Sequence, residues 1–131
     1  MFRIPESHRD LLDADVGVLA TVGSDGRPQL SAVWFLAEGD TLAISLNTAR
    51  QKTRNLEANA IATLFILDRQ NPYRYLELRG DVTIEPDDNC VFADRVGAKY
   101  QANIREHDRP GERRVRVEIH PLRINAVDMA A

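Results

Sequence analysis

A single cysteine among 131 residues, Cys90, leaves no intrachain disulfide framework and no cysteine-rich metal site. That scarcity fits a reducing compartment. No apolar run approaches the roughly 20 residues a membrane-spanning helix needs. The stretch from Met1 to Asp15 carries Arg3, Glu6, Arg9, Asp10 and Asp13, with no apolar segment of signal-peptide length. A cytoplasmic protein with no membrane partner is the expectation. Basic excess is missing too: a net charge of −3 argues against a general nucleic-acid binder. His8, His107 and His120 lack metal-ligand spacing, and no HExxH, G-x-S-x-G, Walker A or dinucleotide glycine motif occurs. Gly23 and Gly26 flank Ser24-Asp25 in what reads as a hairpin turn. Cys90, beside Val91 and Phe92, reads as a packed thiol rather than a nucleophile. Asp87 and Asp88 read as structural residues at a helix start.

What is present is mostly strand, and the whole chain, 1–131, reads as one domain. A short amphipathic helix over Pro5 to Leu12 precedes an apolar strand from Val16 to Val22. The turn Gly23 to Pro28 leads to a second strand, Gln29 to Ala37, and Gly39-Asp40 leads to a third, Thr41 to Leu46. Three hairpin-linked strands predict a meander. Ile61 to Leu67 is nearly continuous in apolar residues, which predicts a strand buried on both faces. Tyr73 to Ile84 alternates, with Leu76, Leu78, Val82 and Ile84 on one side and Gly80 as a plausible bend. A second helix opens at Pro86-Asp87-Asp88 with a stripe of Val91, Phe92, Val96 and Tyr100. Two strands follow, Arg114 to His120 and Leu122 to Val127, separated by Pro121. The expected fold is mainly β: a six- to seven-stranded antiparallel barrel with two or three helices.

One segment stands apart. Between the third strand and the next, a helix is expected from about Thr48 to Ala58, with Thr48 and Gln51 at capping-box spacing and Ala49, Thr53, Leu56 and Ala60 inward. Its first turns carry Arg50, Lys52 and Arg54, although cations are disfavoured at the positive end of a helix dipole. An anion docked there would explain them. A solvated basic face would explain them equally well. With no evident acid–base or nucleophilic machinery, the chain suits either an enzyme whose cofactor carries the chemistry or a binding protein.

Three motifs in this order resemble one family. The run VLATVGSDGRPQLSAVWF (18–35) resembles its opening hairpin, SLNTARQKTRNL (45–56) its phosphate-binding strand and helix, and YLELRGDV (75–82) its long central strand. Together they are similar to the pyridoxamine-phosphate-oxidase-like split β-barrel flavoproteins, a flavin-reductase-like, FMN-binding fold. The similarity is greatest to the actinobacterial branch that uses the deazaflavin coenzyme F420 in place of FMN. It implies a homodimer with cofactor sites at the interface. Arg50 and Lys52 match the residues that hold the cofactor phosphate. Gln29, Ser31, Ala32 and Val33 match the cofactor-lining strand, and Ser45, Leu46 and Asn47 its neighbour. Pro72, Tyr73 and Tyr75 fall where the second subunit approaches. The implied activity is hydride transfer from reduced F420 to an unsaturated or conjugated organic substrate. FMN in the same cleft, or a carrier of flavin or haem without turnover, are the alternatives. The chain stops soon after Val127, without the longer C-terminal segment of true pyridoxamine phosphate oxidases, so oxidation of a vitamin B6 phosphate is not expected. Among the remaining residues, Trp34 reads as a core or interface aromatic, Arg79 as the partner of an acid, and Arg54 as solvent-facing.

Overall fold

Alternation of apolar and polar residues organises the chain into seven antiparallel strands, seen in a computed structural model that describes residues 2–129. A 3-10 helix, Glu6–Asp13, leads into β1 (Gly17–Val22) and β2 (Pro28–Val33). β3 (Leu36–Glu38) and β4 (Thr41–Asn47) follow, then helix α1 (Gln51–Ala58). β5 (Ile61–Leu67) and β6 (Arg74–Pro86) precede α2 (Val91–Tyr100). A 3-10 turn over Ile104–His107 leads to β7 (Arg114–Asp128). The sheet order is β2-β1-β5-β6-β7-β4-β3. Inward residues of five strands, including Leu19, Leu42, Ile44, Leu64, Leu76 and Val117, form one core and are at most 1% exposed. A smaller cluster of Ala43, Phe92, Ala93, Val96 and Ile104 packs α2 on the other face of β4.

The expected meander is not formed. The segment predicted as one strand from Gln29 to Ala37 is divided: β2 pairs with β1, whereas β3 pairs with β4 at the opposite end of the sheet. The chain crosses between these edges at Trp34-Phe35. Phe35 is fully buried, so the crossing is itself a core contact rather than a turn. No glycine or proline marks it, which is why periodicity runs through it unbroken.

Other boundaries also differ. β5 buries Ala62, Leu64 and Ile66 but leaves Ile61 and Leu67 exposed, so only one of its faces is fully packed. In α2 the buried positions are Phe92, Ala93, Val96 and Gly97, while Val91 is exposed. Cys90 sits just ahead of that helix in a left-handed conformation, and Asp87 caps the helix by accepting from the N–H groups of Phe92 and Ala93.

The two expected C-terminal strands are one continuous β7. Pro121 is tolerated inside it because it faces Gly80 beside the register shift at Arg79/Gly80, where the ladder is already interrupted. Gly80 does bend β6, and a methyl group there would collide with the carbonyl oxygen of His120. Backbone cannot yield as a flexible side-chain end would. Gly80→Ala is therefore expected to destabilise the fold by about 1–3 kcal/mol. Urea unfolding monitored by circular dichroism reads this as a lower midpoint at unchanged slope; an unaltered midpoint would mean that the bulge repacks freely.

Candidate cofactor site

A cavity of 280 Å³ lies between β2 and the end of β4. The end of β2 and the crossover contribute Ala32, Val33 and Trp34. The end of β4 contributes Ser45, Leu46 and Asn47. Arg50 and Lys52 enter from the start of α1. Val96, Ile104, His107 and Arg114 form the far wall. The cavity thus lies where β2 and β4, which do not pair, approach one another. An edge strand carries backbone N–H and C=O groups turned away from its single neighbour, and β2 has only β1 beside it.

Of the residues singled out from the sequence, Ala32, Val33, Ser45, Leu46, Asn47, Arg50 and Lys52 line this cavity together. Ser31 joins them through its hydroxyl, which accepts from Lys52 Nζ at 3.1 Å. Gln29 lies further along β2, accepting from Asn55 Nδ2 at 3.0 Å. Pro72 and Tyr73 are exposed on the β5–β6 loop, and Tyr75 packs against Phe65 with ring centroids 5.0 Å apart. These three are not part of this chain's own cavity. Sequence reasoning missed the far wall. Val96 and Ile104 are ordinary core residues in any local window, and His107 and Arg114 are brought in by non-local pairing.

The helix start differs from the capping box expected at Thr48. α1 begins at Gln51, with Arg50 at the N-cap position in an extended conformation and no side-chain cap. Thr48 is used elsewhere, its Oγ1 accepting from Arg113 N at 3.2 Å. Asn47 organises the turn instead. Its Oδ1 accepts from Ala49 N at 2.8 Å, and its carbonyl accepts from Thr53 Oγ1 at 2.7 Å and from Arg50 N at 3.1 Å. The same residue's Nδ2 donates to Asp108 and Glu112, at 2.9 and 3.1 Å, and so fastens the far wall to the helix start. The inward face of α1 is accordingly Lys52, Thr53, Asn55 and Leu56, and Ala49 and Ala60 are exposed.

Lys52 is the electrostatic anomaly. It is only 7% exposed, its one protein hydrogen bond goes to the neutral Ser31 hydroxyl, and among the described residues no carboxylate stands within ion-pairing distance. Burial, and secondarily the Arg50 charge, push its pKa below the usual lysine value of 10.5. Asp108, which pairs with the lining residue Arg114, is already committed: it accepts three hydrogen bonds from Arg114, at 2.7 to 3.0 Å, and these hold its carboxyl below the usual range. Ser45 Oγ is buried at the cavity with no partner. An uncompensated buried cation and an orphaned hydroxyl are both costly in protein alone. A bound oxyanion can satisfy the cation, so Lys52 and Arg50 fit a phosphate-bearing ligand.

That cost has a pH signature. Between the depressed folded-state pKa of Lys52 and 10.5, the unfolded chain binds more protons, so the burden on the ligand-free fold eases as pH rises through that window. Lys52→Met is expected to be at least as stable as the parent at pH 7 without ligand, with the advantage shrinking toward pH 10.5. Urea midpoints at several pH values check this; a variant less stable at pH 7 would show that the ammonium is well accommodated.

The geometry defines a class: a split β-barrel with a cationic cavity between β2 and the end of β4. The sequence pattern of pyridoxamine 5'-phosphate oxidase matches residues 4–128, and the chain belongs to that family. A solved structure named F420 reductase is 36% identical and superposes with a TM-score of 0.82, covering 93% of this chain and 98% of its own. A conserved hypothetical protein from Mycobacterium tuberculosis shares the fold at 21% identity and a TM-score of 0.78, covering 95% of this chain and 85% of its own. HupZ of Group A Streptococcus does so at 21% and 0.74, covering 98% and 97%.

Proposed function

We propose that this protein is an oxidoreductase that uses coenzyme F420, bound in the cavity between β2 and β4, to reduce an unsaturated or conjugated organic substrate. The observation that carries the reading is Lys52, buried without a counter-ion beside Arg50 at a helix start. The 36% identity over 93% of the chain to an F420 reductase supports F420 as the occupant. When bound, the deazaflavin supplies the hydride chemistry. The chain's own part is binding and orientation. Lys52 and Arg50 would hold the phosphate by charge-assisted hydrogen bonds, with the Ser31 hydroxyl beside them. The outer edge of β2, from Gln29 to Val33, offers backbone donors and acceptors to a polar ring edge. Trp34, Val96 and Ile104 give the cavity an apolar wall that excludes water. FMN, which also carries a phosphate, fits the same residues and is the second cofactor to test.

We also propose a homodimer. Val16, Leu30, Ile61, Leu67 and Tyr73 are large apolar side chains at least 38% exposed, four of them on or beside the neighbouring strands β2, β1 and β5. A second copy seated on that face would cover them and bring its own Pro72, Tyr73 and Tyr75 toward the cavity. Sedimentation at micromolar concentration is expected to give a dimer; a monodisperse monomer would remove the two-chain site.

Titration against F420 and FMN, read by absorbance, tests the cofactor. Lys52→Ala is expected to weaken binding of the preferred cofactor about tenfold to a hundredfold, the worth of one charge-assisted hydrogen bond. Cys90→Ser, outside the cavity, is expected to leave affinity and turnover unchanged. If Lys52→Ala and Arg50→Ala both bind as tightly as the parent, the phosphate is held elsewhere.

A further inference from the structure

The single tryptophan of the chain is neither in the core nor loosely on the surface. Trp34 is 40% exposed and lines the cavity, with one ring stacked on it: Tyr100 lies 4.4 Å away, centroid to centroid, at an interplanar angle of 5°. Tyr100 is itself fixed. Its hydroxyl accepts from Phe35 N at 3.2 Å and donates to Phe35 O at 3.3 Å. Lys99 Nζ donates to the same carbonyl at 2.9 Å and sits 4.9 Å from the centre of the Tyr100 ring. The indole is therefore held in one orientation before any ligand arrives. A rigid aromatic surface loses little conformational freedom on binding, and offset stacking contributes beyond the area it buries.

The cavity wall combines the cations Arg50, Lys52 and Arg114 with the apolar side chains of Val33, Trp34, Val96 and Ile104. A scattered exposed tryptophan would need no explanation. One stacked, pinned and facing the same cavity as a buried uncompensated lysine does.

The geometry points to Trp34 as a specificity-determining platform that stacks on a planar conjugated ring held in this cavity. Two rings have this chemistry, that of the cofactor and that of the acceptor. The assignment builds on the cofactor reading above for which ring it is, but the stacking surface exists independently of the phosphate site.

Because Trp34 is the only tryptophan, its fluorescence reports this surface alone. The test measures acrylamide quenching of Trp34 lifetimes in the whole chain. Lumichrome, a planar tricycle without phosphate, is expected to lower the quenching constant at least twofold, in Lys52→Ala as in the parent. Glycerol 3-phosphate, an anion without a ring, is expected to leave it unchanged. Trp34→Leu should weaken lumichrome binding about threefold to tenfold, read by its anisotropy, with Trp34→Phe retaining most of it. A matching loss of F420 or FMN affinity in Trp34→Leu assigns the platform to the cofactor ring. Unchanged cofactor affinity with a raised KM for menadione, but not for cyclohexenone, assigns it to the acceptor. If lumichrome binds neither cofactor-free protein nor protects Trp34, the platform is refuted even where F420 binds. If neither F420 nor FMN binds while lumichrome still protects Trp34, the platform stands and the cofactor reading falls.

Discussion

Everything at the candidate site depends on how Phe35 is held. Its side chain is buried in the barrel core, its N–H and carbonyl are both bonded to the Tyr100 hydroxyl, and Lys99 adds a charged donor to the carbonyl. The Lys99 ammonium reaches the carbonyls of Leu12 and Ala14 as well, and stands 4.2 Å from the centre of the Phe35 ring. Three separate segments, the end of the N-terminal 3-10 helix, the crossover and the end of α2, thus converge on one cation. That cation is held by three carbonyl dipoles and two aromatic faces, with the charges of Asp13 and Asp15 acting on it from further off. Fixing the crossover there sends β2 to one edge of the sheet and β3 to the other, and the cavity lies between β2 and the end of β4 beyond its pairing with β3.

The electrostatics of that cavity are arranged by what is neutralised and what is not. Arg114 and Asp108 cancel each other, their side chains only 11% and 17% exposed, and Asn47 ties the pair to the turn that begins α1. Arg50 and Lys52 on the opposite side have no such partner among the described residues. A chain with net charge −3 has acids to spare, yet none is spent on Lys52. A buried ammonium without a counter-ion costs stability in the free protein, a cost that a bound anion would offset. Ligand binding and folding are linked here in the usual sense: whatever binds the native state alone stabilises it by mass action.

Much of this was legible in the sequence, for physical reasons that can be named. The alternation in β6 is strict because one face packs the core and the other does not, and Gly80 marks the bulge because no side chain fits beside His120. Arg50 and Lys52 were visible because they violate the dipole preference of a helix start. Their burial was not. Lys52 turns inward because Asn47, rather than Thr48, sets the start of α1, and Asn47 is recruited by Asp108 and Glu112 some sixty residues away. No local window contains that information. The false meander has the same origin: Gly39-Asp40 is a true turn, but the break at Trp34-Phe35 is made by Tyr100 and Lys99 rather than by a local breaker. The continuous β7 was missed because proline ordinarily ends a strand, and the exception here depends on a bulge in a different strand.

The non-local origin of the far wall bears on how such a barrel can change what it accepts. The cation pair and the edge of β2 belong to contiguous segments whose geometry the sheet fixes. His107 and Arg114 flank the Asn47-linked loop, and Trp34 hangs on a contact with α2. Substitution at Val96 can reshape the cavity wall within the small α2 cluster, whereas Lys99 and Tyr100 at the end of the same helix are tied to the core residue Phe35. Division into two cores therefore separates two tasks. The barrel carries the β2 and β4 lining residues, and the α2 layer supplies Val96 and Ile104 and braces Trp34.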